Sequence, residues 1–204
     1  MKRLLSIVLL IAVIVAGFWL YFEKAHKEVS GEAEATGPVP VMKHSQAFNQ
    51  QIDDAINAYM QLKDAFVEAD SLRAKELAAS FNDAVAKIDM AGLEKDDEAI
   101  KLSAQQTKDQ IQQFASNISS REDIQSMRRD FKDISENMYP LLKTIGYEGQ
   151  KLYWDNCPMA FGDEQANWLS LTSNIVNPYL GKKHPVYKGG MLNCGEVVDS
   201  LYLK

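Results

Sequence analysis

Two cysteines in 204 residues are too few for a scaffold woven from disulfides, and six prolines with eleven glycines are too few for a fibrous or low-complexity chain. Positive charge is also in short supply. Lys and Arg number 22 against 28 Asp and Glu, a formal charge of −6, so the chain lacks the basic field that holds a phosphate backbone by counterion release. Nucleic acid is not an expected partner. The H-E-x-x-H, G-x-S-x-G and P-loop patterns do not occur, which gives hydrolase and nucleotide chemistry no foothold. A thiol enzyme would need a base beside its cysteine, and no spacing supplies one. The expectation is a protein that is not an enzyme.

What is present is ordinary globular material, 46% hydrophobic and 25% charged, in an amount suited to one main domain. Long apolar runs are confined to Leu4–Phe22, which carries no charge and follows Lys2 and Arg3. As a helix it reaches roughly 28 Å, enough to span a bilayer. Phe18, Trp19, Tyr21 and Phe22 occupy its exit where a removable leader would carry small residues. Residues 1–22 therefore read as an uncleaved signal anchor in the inner membrane. Lys2 and Arg3 stay cytoplasmic, and everything after Phe22 is exported to the periplasm. The rival reading is a cleaved leader with Ala33-Glu34-Ala35 as the processing site. Residues 23–44, with Gly37-Pro38-Val39-Pro40, form a flexible linker.

Residues 45–204 make the folded domain. Phe48, Ile52, Ala55, Ile56, Tyr59, Leu62 and Phe66 recur at spacings of three and four, which predicts a first amphipathic helix. Asp70 caps a second, whose stripe is Leu77, Phe81, Val85 and Ile88 and which ends near Met90-Ala91-Gly92. A third carries Ile100, Ala104, Thr107, Ile111, Phe114 and Ile118 inward, with Lys101, Gln105, Lys108 and Gln112 toward solvent. Ser119 with Glu122 reads as the capping box of a fourth, which runs from Ile124 through Met127, Phe131, Ile134, Met138 and Leu141 to Ile145, with a kink or restart at Pro140. The fold class is mainly α, an antiparallel four-helix bundle. Its stripes lack the inward carboxylates of a di-iron site, and Met60, Met90, Met127 and Met138 read as core filling.

Residues 147–204 follow a different grammar and predict a small irregular β-containing cap. Leu152-Tyr153-Trp154 and Ala160-Phe161 flank an extended run, Gly162-Asp163 marks a turn, Ala166–Leu171 returns, and Met191–Leu201 supplies a third short strand or a helical turn. Both cysteines fall here. Cys157-Pro158-Met159 places a thiol and a thioether two residues apart, on one face of an extended chain, and Met191 precedes Cys194 by three. If the two segments converge, Cys157, Met159, Met191 and Cys194 form a soft donor set suited to Cu(I) or Ag(I) and not to Ca²⁺ or Mg²⁺. His184 could add an imidazole, and Met42-Lys43-His44 could serve as a mobile capture arm. The competing reading is a Cys157–Cys194 disulfide, stable in an exported compartment, with both methionines as packing.

Tyr153-Trp154-Asp155-Asn156-Cys157-Pro158-Met159-Ala160-Phe161, Trp168-Leu169-Ser170, Asn177-Pro178-Tyr179 and Met191-Leu192-Asn193-Cys194-Gly195-Glu196-Val197 together resemble a bacterial exported family of domains of unknown function, family 3347. Tyr59–Phe66 and Tyr139–Lys143 resemble its helical part, so the likeness extends over most of residues 48–198. Members of that family occur as single exported proteins and fused to periplasmic adaptor subunits of heavy-metal efflux pumps. The resemblance implies a copper or silver role, with Cys157, Met159, Met191 and Cys194 at the family's sulfur-bearing positions, and a heavy-metal efflux complex as partner. Leu180–Gly190 is longer than the family's usual link. Expected, then, is a membrane-anchored periplasmic binder of a soft metal ion; the alternative is an envelope interaction domain stapled by the Cys157–Cys194 bridge.

Overall fold

Each helix begins where a short polar side chain can satisfy the orphan amides of a first turn. The first, α1 (Gln46–Glu68), is capped by Ser45, whose hydroxyl accepts from the Phe48 amide at 3.2 Å. Asp70 caps α2 (Ser71–Ala86), accepting from the Arg73 amide at 3.0 Å. Asp97 opens α3 (Glu98–Ser120), and Asp123 opens α4 (Ile124–Ile145). These coordinates are a computed structural model that describes residues 42–202, a single compact unit from Met42 onward. The apolar run Leu4–Phe22 and most of the linker lie outside them. No helix among the described residues is long and apolar enough to cross a membrane.

The stripes expected from periodicity form the core. Phe48, Ile52, Ile56, Tyr59, Leu62 and Phe66 of α1 are buried against Phe81 and Val85 of α2, Ile111 and Ile118 of α3, and Phe131, Ile134 and Met138 of α4. Met60 and Met127 are buried with them, in keeping with their reading as core. Packing runs in sequence from α1 through α4, and α4 returns to α1.

Several local expectations need correction. The second helix stops at Ala86, and Met90–Leu93 forms a separate 3₁₀ turn capped by Asp89, whose carboxylate accepts from the Ala91 amide at 2.9 Å. Ser119 and Ser120 finish α3 and do not start α4. Asp123 outcompetes them because its carboxylate accepts from both the Gln125 and Ser126 amides at 2.9 Å. Pro140 lies within α4 without ending it, and its ring is on the exposed face, where water can serve the carbonyl it leaves unpaired. Lys108 is buried, not solvated. Its ammonium donates to the Ala86 and Ile88 carbonyls at 3.0 and 2.6 Å, closing the end of α2 where carbonyls lack helical partners.

The C-terminal cap is a three-stranded antiparallel sheet in the order β2–β1–β3, with β1 (Leu152–Phe161) central, β2 (Glu164–Ser170) and β3 (Glu196–Leu201). The Gly162-Asp163 turn joins β1 to β2 as expected. Tyr179, from the long connection to β3, packs against Phe131 of α4, Phe161 of β1 and Trp168 of β2. The same connection is tied to the end of α1. The Lys182 amide donates to the Val67 carbonyl at 2.8 Å, and the buried Arg128 guanidinium donates to the Phe66 carbonyl at 2.9 Å. At Gly181, with φ +56°, a Cβ would stand 2.6 Å from Arg128 Nη2 and 2.9 Å from the Phe66 carbonyl oxygen, so only glycine lets the chain pass so close. This joint fixes one end of the segment that carries the second cysteine.

Candidate functional site

Cys157 stands on β1 opposite Ala166, fully buried, and Cys194 is half-buried in the turn just ahead of β3. Their Sγ atoms are 3.1 Å apart. Residues 37 positions apart in the chain thus present two sulfurs within reach of one ion, given metal–thiolate bonds of about 2.3 Å as in zinc sites. Burial, and beyond it the adjacent Cys157 thiol, pushes the Cys194 thiol up to about 11. Both groups are thiols in this structure.

The Cys194 turn is held from outside itself. Its own closing bond runs from the Cys194 amide to the Met191 carbonyl at 3.0 Å. Asn177, buried in the Asn-Pro-Tyr segment, then uses every polar atom it has. Its amide donates to the Leu192 carbonyl at 2.8 Å, and its side-chain nitrogen donates to the Cys194 carbonyl at 2.8 Å. Its side-chain oxygen accepts from the Tyr179 and Leu180 amides at 2.8 and 3.0 Å, and its carbonyl accepts from Gly181 at 3.0 Å. Gly195 completes the approach. At φ +136° it crosses the Asn156 carbonyl and the Trp168 ring so closely that a Cβ would meet them at 2.6 and 2.9 Å.

The thioethers are placed differently. Met159 follows Cys157 across a register irregularity in the β1–β2 pairing. It is half-buried and lines a separate cavity of about 330 Å³ with Arg129, Phe161, His184, Val186 and Tyr187; neither cysteine is in that lining. Met191 is half-buried, packed against the core at the start of the Cys194 turn. Among the described residues no three His, Cys, Asp or Glu side chains gather where they could hold a metal ion, so any donor beyond the two sulfurs at the cysteine pair would be of another kind.

Neither histidine behaves as a spare ligand. His184 Nδ1 accepts from the Val186 and Tyr187 amides at 3.3 and 3.2 Å, which puts the proton of the neutral ring on Nε2 and leaves no lone pair free for a metal. Burial, with the positive charges of Arg128 and Lys188, holds this imidazole below its usual range. The expected mobile arm at Met42-Lys43-His44 is instead fastened to the body. His44 is buried, with Nε2 2.9 Å from Asp96 Oδ2 and Nδ1 3.2 Å from Glu148 Oε2. Lys43 pairs with Asp96, and the Lys43 and His44 amides both donate to Glu148.

Sequence reasoning did not single out Asn177 as part of the site. The signal was there, because an Asn ahead of Pro-Tyr is a turn former whose side chain can accept amides two and three residues on. Asp155 was also passed over. It is buried two residues before Cys157, with Oδ2 accepting from the Ser170 hydroxyl at 2.6 Å, Oδ1 unpartnered, and its carboxyl held by burial above the ordinary range.

The architecture is a helical domain with an appended sheet, with two thiols in contact between the central strand and the turn before β3. Residues 55–150 of the chain match the model of the family described as "Protein of unknown function (DUF3347)", a match that covers α4 and most of α1 with the helices between. No curated protein and no solved structure matches the chain.

Proposed function

We propose that this protein captures a soft monovalent metal ion, Cu(I) or Ag(I), through Cys157 and Cys194, and that it either buffers the ion or hands it to a metal efflux complex. The observation that carries this reading is the 3.1 Å approach of the two sulfurs. Soft thiolate donors select Cu(I) over hard cations, and a half-buried Cys194 leaves one side of the pair open to ligand exchange, which transfer requires. In this reading Met159 and Met191 supply thioether donors on local rearrangement, adding affinity without charge. Leu4–Phe22 anchors the chain in the inner membrane and exports the domain, so the ion is met in the periplasm.

Because the Cys194 thiol sits near 11, uptake of the ion must displace its proton. Apparent affinity therefore rises with pH, approaching tenfold per unit for each proton released. Titration of the reduced full chain with Cu(I) tests the reading: Cys157→Ser and Cys194→Ser should each bind far more weakly than the parent, and equal affinity in all three would overturn it.

The same sulfur approach supports a second reading, in which the pair closes a disulfide and the domain docks on an envelope complex without metal. That reading expects no free thiol in freshly isolated chain, which a thiol count by mass before and after reduction decides.

A further inference from the structure

Cys194 is not carried by a helix or a strand. β3 begins two residues later, at Glu196, and Gly195 between them has no side chain to anchor. The position of its sulfur is set by hydrogen bonds from the 175–181 segment. Three bonds span the two segments: Asn177 N–H to the Leu192 carbonyl, Asn177 Nδ2 to the Cys194 carbonyl, and Asn193 Nδ2 to the Ile175 carbonyl at 2.7 Å. Only the second ends on the cysteine itself.

We infer that Asn177 is the positioning residue of the dithiol site: its side-chain amide holds the Cys194 carbonyl and thereby keeps Sγ within bonding reach of the ion that Cys157 shares. The inference rests on the metal reading above. Its physical ground is that Asn177 is fully buried and its side chain divides two tasks between two atoms. Oδ1 closes the Asn-Pro-Tyr turn by accepting from Tyr179 and Leu180, and Nδ2 has the Cys194 carbonyl as its acceptor. Outer groups of this kind orient ligands, and their loss typically lowers metal affinity by about 10–100-fold. The 177–182 segment can act as a fixed frame because it is itself pinned to the end of α1 through Lys182, whose amide donates to the Val67 carbonyl and whose ammonium pairs with Glu68.

The two tasks can be separated by substitution. Asn177→Asp keeps the acceptor for both turn amides and removes the donor to Cys194. Asn177→Ser also keeps a turn-closing oxygen, without a buried charge, and is too short to reach the Cys194 carbonyl. Asn193→Ala removes a strap between the same segments that does not touch the cysteine. Each full-length variant is titrated with Cu(I) in the reduced state and melted without metal. The expected result is a fall in Cu(I) affinity of about 10–100-fold in Asn177→Asp and Asn177→Ser, with Asn193→Ala near the parent and all three folded. Parent affinity in a folded Asn177→Ser overturns the inference, as does an equal loss in Asn193→Ala, which would mean that general looseness of the turn is responsible. Failure of the metal reading has a different signature, since it would leave Cys157→Ser and Cys194→Ser at parent affinity.

Discussion

His44 has a carboxylate oxygen at each ring nitrogen, Asp96 Oδ2 at Nε2 and Glu148 Oε2 at Nδ1. The arrangement clasps the ring between two acidic side chains. Facing it are Asp96 and Glu148, Lys43 on Asp96, and Lys95, whose ammonium reaches the Lys43 carbonyl at 3.5 Å. Burial alone would raise the Asp96 and Glu148 carboxyls. Hydrogen bonds from Lys43 and His44 outweigh it at Asp96, and the amides of Lys43 and His44 with the Asn49 side chain outweigh it at Glu148, so both lie below the ordinary carboxylate range. A depressed carboxyl contributes stability that is complete above its unfolded value, near 4, and is lost as pH falls through the folded value. His44→Ala takes a donor from each carboxylate and leaves buried charge less compensated, at a cost of about 3 kcal/mol near pH 7. In acid titrations followed by circular dichroism the variant should unfold at higher pH than the parent. An unchanged acid midpoint would remove His44 from the account. Nothing in Met42-Lys43-His44 distinguishes a clasp from a solvated arm, because the two carboxylates that make the difference lie 52 and 104 residues further on.

At the scale of elements, what periodicity records is burial, so the four helical stripes and the β1–β2 hairpin were legible from spacing and from Gly162-Asp163. Boundaries were less so. A Ser-x-x-Glu pattern states that a cap is possible, and it says nothing of a competitor such as Asp123 that can serve two amides at once. Lys108 read as solvent-facing because its partners, the last carbonyls of α2, are defined only once α2 and α3 pack. At the sulfur site the soft residue types were legible and the approach of the two thiols was conditional on convergence, whereas the Asn177 and Gly195 contacts that produce that approach were not. Gly195 gives an element-scale prediction. Gly195→Ala would force a Cβ into the Asn156 carbonyl and the Trp168 ring at a φ that side chains rarely adopt, so β3 must withdraw from β1. A loss of about 2 kcal/mol or more in denaturant unfolding is expected, with faster amide exchange along β3 than along β2. Equal exchange in the two edge strands would show that the crossing is not what seats β3.

For the molecule as a whole, the dithiol links β1 to the turn before β3 while the bundle carries most of the core, so a constraint at the sulfurs acts on global unfolding through the cap. Two chemistries can apply that constraint, and they respond oppositely to reduction. A Cys157–Cys194 bridge closing 37 residues would restrict the unfolded chain by on the order of 3–4 kcal/mol, an effect abolished by reductant and indifferent to copper. A shared ion acts by mass action, binding the folded chain and contributing about 2.7 kcal/mol when free ligand is 100 times Kd, and it requires reduced thiols. For a chain of this length about 2.7 kcal/mol corresponds to a rise of roughly 5–10 °C in the melting midpoint. Reduced full chain should therefore melt higher when Cu(I) is added, the rise should grow with free metal concentration and with pH as thiol protons are displaced, and Cys194→Ser should abolish it. A chain that melts highest when oxidised, and whose reduced form is unmoved by Cu(I), would be one in which the sulfurs meet as a staple and the metal reading fails.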